Sequence, residues 1–364
     1  MKKGLLGMMT AAAMTAAMVL SGCSGSQTAA TTAAPAGGET KTEAAKTEAA
    51  KTEAPKTEAP KTEEKKDLLV VGFSQVGAES DWRTANTESM KSTFTEANGY
   101  KLIFDDAQQK QENQLKAVRN FIQQDVDYIV IAPVTETGWD TVLQEAKDAG
   151  IPVIIVDRMI DVSDDSLYTA WVGSNFLQEG YDAVAWLGDY LKKNNRSDDD
   201  INIVTLQGTI GSSAQIGRTD GVEEKMKDYP KWKMLERQTG EFTQAKGQEV
   251  MESFLKTYQD IDVVIAENDN MAFGAIDAIK AAGKTCGPKG DIIIISFDAV
   301  AAAFDSMIAG DMNVSVECNP LHGPRVAEII QKLEKGESVD KIAYVQEGVY
   351  PADTAAQEKP KRAY

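Results

Sequence analysis

The chain of 364 residues predicts an α/β fold made of two lobes, each a parallel sheet flanked by helices. From Asp67 onward, short β-branched and aliphatic runs alternate with stretches whose apolar residues recur at three- and four-residue spacing, the pattern of repeated strand–helix units. That part, about 298 residues, exceeds what one hydrophobic core organises, so it should divide in two. The residues just past the aliphatic runs are polar or charged more often than loop composition requires, and in open parallel sheets the strand ends are where ligands bind.

The first 66 residues are of another kind. Lys2 and Lys3 precede an apolar stretch from Leu5 to Leu20 that ends in Leu20-Ser21-Gly22-Cys23. It is short for a membrane span, and a positive start followed by an apolar middle and small residues describes an export signal over residues 1–22. The LSGC string resembles a bacterial lipobox, which implies cleavage before Cys23 and lipid on its sulfur; the alternative is an uncleaved anchor with an incidental cysteine. From Ser24 to Lys66 no large apolar residue appears, and KTEAA and KTEAP units repeat every five residues from Lys41. Such a segment cannot bury a core and reads as a tether, with Pro55 and Pro60 interrupting any helix. A long spacer behind a lipidated cysteine suits the outer face of a Gram-positive membrane.

Loss of Lys2 and Lys3 with the signal takes the formal charge from −18 to −20. So acidic a surface repels nucleic acid and anionic lipid, leaving the lipid as the expected membrane contact. Cys286 and Cys318 fall in different predicted elements, which favours two free thiols over a bridge. With His322 the single histidine, a zinc site or a histidine-based triad has little material, and no metal or cofactor is expected.

The expected strands are 68–73, 101–104, 127–132, 152–156, 201–206, 232–237, 262–266, 291–297 and 312–316. Between them lie helical patterns such as Leu115, Val118, Phe121 and Ile122, or Trp139, Val142, Leu143 and Ala146. The run YTAWV passing into Val172-Gly173-Ser174-Asn175 is a candidate boundary between the lobes.

The loop after the first strand, in VGFSQVGAESDWR, carries Glu79, Ser80, Trp82 and Arg83 within five residues. An indole face can cover the C–H side of a sugar ring while Arg and Glu take adjacent hydroxyls. The plainer reading is a strand-to-helix loop with its charges in solvent. Similar mixtures recur past later strands: Asp157-Arg158, Glu241-Phe242, Asn268-Asp269, Asp298 and Glu317. Asp105 and Asp269 read better as turn formers or helix caps. Arginines among acidic residues suit a neutral polyol; a phosphate or carboxylate ligand would be repelled by the acidic neighbours.

VGFSQVGAESDWR, DAQQKQENQLKAVRNFI, IAPVTETGWDTVLQEAKDAGIPV, LQGTIGSSAQIGR, GEFTQAKGQEVMESF and the END…SFD pair together resemble the type I periplasmic sugar-binding proteins of ABC importers, and most of all their galactofuranose-binding branch. The likeness covers the chain from Leu69 to the C-terminus. It implies a periplasmic-binding-protein-like type I fold, two Rossmann-like lobes joined by a three-segment hinge, with residues 67–173 plus 319–346 in one lobe and 174–318 plus 347–364 in the other. It implies ligand contacts from Glu79, Trp82, Arg83, Asp157, Arg158, Arg218, Asn268 and Asp298. Phe242 would face the ligand opposite Trp82 or else be a core residue, and Glu317 would point a polar group at the ligand. Where relatives commonly carry a histidine this chain has Glu267, which could alter the hydroxyl preference or face solvent beside the cleft.

The implied partners are a monosaccharide and ABC permease subunits, with the protein a monomer. A second reading is a sensor that presents its closed form to a membrane histidine kinase or chemoreceptor. An enzyme is not expected: the chain has no P-loop, no G-x-G-x-x-G after the first strand and no nucleophile elbow, and each candidate acid stands beside an arginine or amide suited to gripping.

Overall fold

The computed structural model describes residues 68–364. The expected export signal, the expected lipid attachment at Cys23 and the expected tether lie outside the described residues. No helix among the described residues is long and apolar enough to cross a membrane.

Strands β1 (Leu69–Gln75), β2 (Tyr100–Asp106), β3 (Tyr128–Ile131), β4 (Val153–Val156) and β5 (Ala170–Gly173) alternate with helices α1 (Asp81–Thr93), α2 (Gln111–Gln123) and α3 (Asp140–Asp148). The chain then runs through α4 (Phe176–Lys193), β6 (Ile201–Gln207), α5 (Ser213–Met226), β7 (Trp232–Thr239), α6 (Gln244–Thr257), β8 (Val263–Ala266), α7 (Asp269–Ala281), β9 (Ile293–Asp298), α8 (Ala301–Ala309) and β10 (Val314–Glu317). It ends with α9 (Gly323–Glu334), β11 (Ile342–Tyr344), β12 (Val349–Pro351) and α10 (Ala355–Glu358).

These strands form two six-stranded sheets, ordered β11-β5-β4-β3-β1-β2 and β12-β10-β9-β8-β6-β7. Every pairing is parallel except β10 with β12. Chain order reverses between β1 and β3 in one sheet and between β6 and β8 in the other, the switch points outside which α/β folds bind ligands. The chain passes from sheet to sheet three times: after β5, after β10, and between β11 and β12.

The central strands β3, β4, β8 and β9 are buried throughout, as continuous aliphatic runs flanked by helices on both faces should be. Apolar clusters lie on each face: one with Phe73, Met90 and Ile330 and another with Phe121, Trp139 and Leu143 on the first sheet, then the clusters around Phe254 and Phe304 and around Leu187 and Phe297 on the second. Among the helices that follow strands, α1, α5, α6 and α7 begin at polar caps: Ser80 accepts from the Arg83 amide, Ser212 from Gln215, Thr243 from Lys246 and Asn268 from Met271.

All nine expected strands are present, with β5, β11 and β12 in addition. The YTAWV run leads into strand β5, which ends at Gly173, and after Ser174 and Asn175 the chain enters α4 at Phe176. The two late strands have three residues each, and β11 has half-exposed or exposed side chains, so neither carries an aliphatic run. Cys286 and Cys318 are free and buried.

The lobes are closed on each other. The Asp81 amide donates to Asn270 Oδ1 at 3.0 Å, the Met159 amide to Ser213 Oγ at 2.8 Å, and the Glu136 amide to Gly211 O at 2.9 Å. Trp82, on α1, packs into the apolar cluster of the second sheet.

Candidate functional site

Between the carboxyl ends of the two sheets lies a space of about 280 Å³, lined by Glu79, Ser80, Trp82, Arg83, Asp157, Arg158, Phe176, Ala214, Arg218, Phe242, Asn268, Asp298 and Cys318. Nine of the ten residues named from sequence line it. Three arginines face three carboxylates, so the lining carries no formal net charge.

The first lobe supplies a buried network. Arg83 Nε donates to Glu79 Oε1 at 2.9 Å, its Nη2 to Asp157 Oδ2 at 2.7 Å and its Nη1 to Gln75 Oε1 at 3.2 Å. Burial opposes charge on Arg83, but Asp157 and Glu79 more than offset it and raise its pKa. Burial likewise opposes charge on Asp157, yet Arg83 and Arg158 hold its carboxyl below the usual range. Arg158 is pushed down to about 10 by burial and by the neighbouring Arg83; its Nη1 donates to Val134 O at 3.1 Å. Glu79 Oε2 is buried and has no hydrogen-bond partner among the described residues. A buried carboxylate oxygen in that condition calls for a donor from outside the protein.

The second lobe supplies Arg218, whose Nε donates to Glu179 Oε2 at 2.6 Å and whose Nη2 lies 3.5 Å from Asp298 Oδ1. Their closeness depends on glycines where α4 crosses α5. A Cβ on Gly180 would stand 2.6 Å from Arg218 O, and one on Gly221 would stand 2.3 Å from Leu177 O. Burial pushes the Asp298 carboxyl well up despite Arg218. Asn268 caps α7 through Oδ1 and donates from Nδ2 to Phe242 O at 3.1 Å, leaving one amide hydrogen free for a ligand.

The lining also holds the rings of Trp82, Phe242 and Phe176. Trp82 donates Nε1 to Cys318 O at 2.6 Å, so its polar atom is satisfied within the protein and the rest of the indole is carbon surface. Phe242 is 4% exposed and lies against Gly208, where a Cβ would come 1.9 Å from Phe242 Cζ. The backbone is left-handed at Asp157 (φ 62°), Phe242 (φ 61°) and Asp298 (φ 106°). Non-glycine residues rarely adopt such conformations, and they cluster at ligand clamps.

Glu317 does not line the space. Its carboxylate accepts from Arg362 Nη2 at 2.9 Å, Tyr364 Oη at 2.8 Å, Tyr350 Oη at 3.1 Å and the Gly348 amide at 3.0 Å, so the C-terminal segment holds it. Glu267 neither lines the space nor meets solvent. It is buried beneath the rim, accepting from the Gly208 amide at 2.7 Å and Thr219 Oγ1 at 2.6 Å, while its backbone carbonyl accepts from Arg218. Asp269, expected as a cap, instead accepts from Ser315 Oγ, Ser296 Oγ and the Val300 amide. Of the lining residues not named as ligand contacts, Ser80 stood in the loop singled out above; Phe176, Ala214 and Cys318 carry no polar signal.

Two closed lobes with a charge-balanced, aromatic-flanked space at their strand ends define a binding protein, and the chain belongs to the periplasmic binding protein family: the model of the periplasmic binding protein domain matches residues 71–338. Over 298 residues the chain is 45% identical to the galactofuranose-binding protein YtfQ of Escherichia coli, covering 81% of this chain and 91% of that one. A Mycobacterium smegmatis protein solved in complex with β-D-fucofuranose is 44% identical, with TM-score 0.78 over 82% of this chain and 96% of that one. The binding component of the arabinose ABC transporter from Shewanella sp. ANA-3, solved with α- and β-L-arabinofuranose, is 47% identical, with TM-score 0.76 over 81% of this chain and 95% of that one.

Proposed function

We propose that this protein captures a neutral monosaccharide in furanose form between its lobes and delivers it to the permease of an ABC importer, without chemically changing it. The observation that carries the reading is the unpartnered Glu79 Oε2 in a lining of balanced charge. A sugar hydroxyl can satisfy that oxygen, whereas an anion would have to approach Glu79, Asp157 and Asp298. The relatives solved with fucofuranose and arabinofuranose and the one named for galactofuranose support the ring form.

In this reading Glu79, Asp157 and Asp298 take hydroxyls while Arg83, Arg158, Arg218 and Asn268 donate to ring and hydroxyl oxygens. Trp82 and Phe242 cover the C–H surfaces. Ligand bound to both lobes favours closure by its differential contacts. The first lobe comprises residues 67–173 plus 319–346 and the second 174–318 plus 347–364. Residues 1–22 are the export signal, Cys23 bears the lipid, and residues 23–66 hold the domain clear of the outer membrane face as a monomer.

A thermal-shift screen of pentoses and hexoses tests the ligand class, because a ligand that binds only the native state must raise its stability. D-galactose, L-arabinose or D-fucose should raise the melting temperature, and sugar phosphates should not. A shift with sugar phosphates alone overturns the reading. Replacement of Cys23 by Ala should leave the precursor unprocessed or the domain released; a mature-sized, membrane-bound Cys23→Ala protein would rule out the lipid anchor.

A further inference from the structure

On the hinge side of the cavity, side chains associated with the three crossings converge. Glu179 stands in the first turn of α4 just past the first crossing, Cys318 lies on the second and Glu347 on the third. One ligand-capable atom from each lies within 4.8 Å of the others. Ser174 Oγ sits among them, 2.6 Å from Glu347 Oε1 and 3.2 Å from Cys318 Sγ.

Glu179 Oε1 is the informative atom. Glu179 is 3% exposed, its Oε2 accepts from Arg218, and Oε1 has no hydrogen-bond partner among the described residues. A solvent-open hollow beside the cluster is lined by Asn175, Gln178, Glu179, Asp182, Glu317 and Glu347 among others, and by no lysine or arginine. A cation therefore has a favourable way in.

We infer that the hinge holds a binding site for one zinc-class divalent cation, ligated by Glu179, Cys318 and Glu347. A thiolate with two carboxylates suits zinc and its neighbours, whereas calcium and magnesium require six or more oxygen ligands. Zinc takes oxygen at about 2.0–2.2 Å and sulfur at about 2.3 Å, so the donors need draw in by about an ångström, which side-chain rotation allows. The Cys318 proton leaves to solvent as the thiolate–metal bond forms. Because the ligands come from all three crossings, the ion ties them together. The site stands independently of the sugar reading.

The test is a cobalt titration of the full chain, freed of metal by a chelator and carrying Cys23→Ser so that Cys286 and Cys318 are the remaining thiols. It is done without sugar, so its failure leaves the proposed function untouched. One equivalent of Co²⁺ should produce thiolate-to-cobalt charge-transfer absorption, and one equivalent of Zn²⁺ should remove it. Cys286→Ser should leave the absorption unchanged, Cys318→Ser should abolish it, and Glu347→Gln should weaken Co²⁺ binding at least tenfold. Absence of the band at one equivalent, or its survival in Cys318→Ser, overturns the site. If Cys318→Ser does not fold, Glu347→Gln decides, and unchanged cobalt affinity there is the contrary result.

Discussion

Arg218 and Glu179, both buried, meet at 2.6 Å, and the same guanidinium reaches towards Asp298 in the ligand space. A buried cation so placed is both a lobe-internal tie and a donor to ligand. Arg218→Ala should cost about 3–5 kcal/mol of stability by leaving Glu179 unpaired. Arg218→Lys keeps the charge but loses the fork. It should weaken sugar binding about tenfold at a smaller cost to stability, measured by calorimetry beside urea unfolding.

Gly208 tests the aromatic wall. Its backbone is compatible with alanine, but the added methyl would meet the Phe242 ring. Gly208→Ala should lower stability by about 1–3 kcal/mol through overpacking and weaken sugar binding by displacing the ring. Unchanged affinity in a folded Gly208→Ala protein would show that Phe242 does not cover the sugar.

His322 is the single histidine, so its imidazole gives one proton resonance to follow. It is fully buried beside Trp82, its Nδ1 lies 2.9 Å from Asn86 Nδ2, and burial pushes its pKa down to about 4. The native state then binds fewer protons than the unfolded state between about pH 4 and 6.5. Stability from this group is complete above about 6.5 and is lost as pH falls towards 4. A nuclear magnetic resonance titration midpoint near 6.5 would contradict the buried placement.

Glu267 has the opposite sign. Burial raises its carboxyl from 4.5 to about 7, so the native state holds the extra proton and this contribution falls as pH rises from about 4.5 through 7. Glu267→Gln can keep the hydrogen bond from the Gly208 amide without the charge. It should gain up to about 3 kcal/mol over the parent at pH 8 and little at pH 4.5. A difference that does not change with pH would mean the carboxyl titrates normally.

The strand pattern was readable because buried parallel strands such as YIVI and VVIA are continuous aliphatic runs between turn residues. The short strands β11 and β12 lacked such runs and pair only at the sheet edges. Loops after strands announced the site through residues whose chemistry is costly to bury, Arg83, Asp157 and Arg158, whereas Arg218 lies within α5 and was implied only by the family resemblance. Glu317 has the same signal, a carboxylate at a strand end, but its partners Arg362 and Tyr364 lie more than forty residues away and only the fold joins them. Glu267 was open for a similar reason, since nothing local says that the Gly208 amide and Thr219 will close over it.

Calorimetry of the best sugar from the screen against the parent, Arg218→Ala, Trp82→Ala and the surface control Lys193→Ala tests the central claim most directly. Among the described residues Lys193 pairs only with exposed Asp353, so its removal should leave affinity unchanged. Micromolar binding corresponds to about −8 kcal/mol, and losing Arg218 or the Trp82 ring should each remove roughly 2 kcal/mol, about thirtyfold. Of the five tryptophans Trp82 alone lines the space, so Trp82→Ala should also diminish the sugar-induced change in fluorescence. One-to-one binding that weakens about thirtyfold in both variants and not in Lys193→Ala is the predicted result; near-parent affinity in both folded variants would mean that the sugar does not bind between these residues.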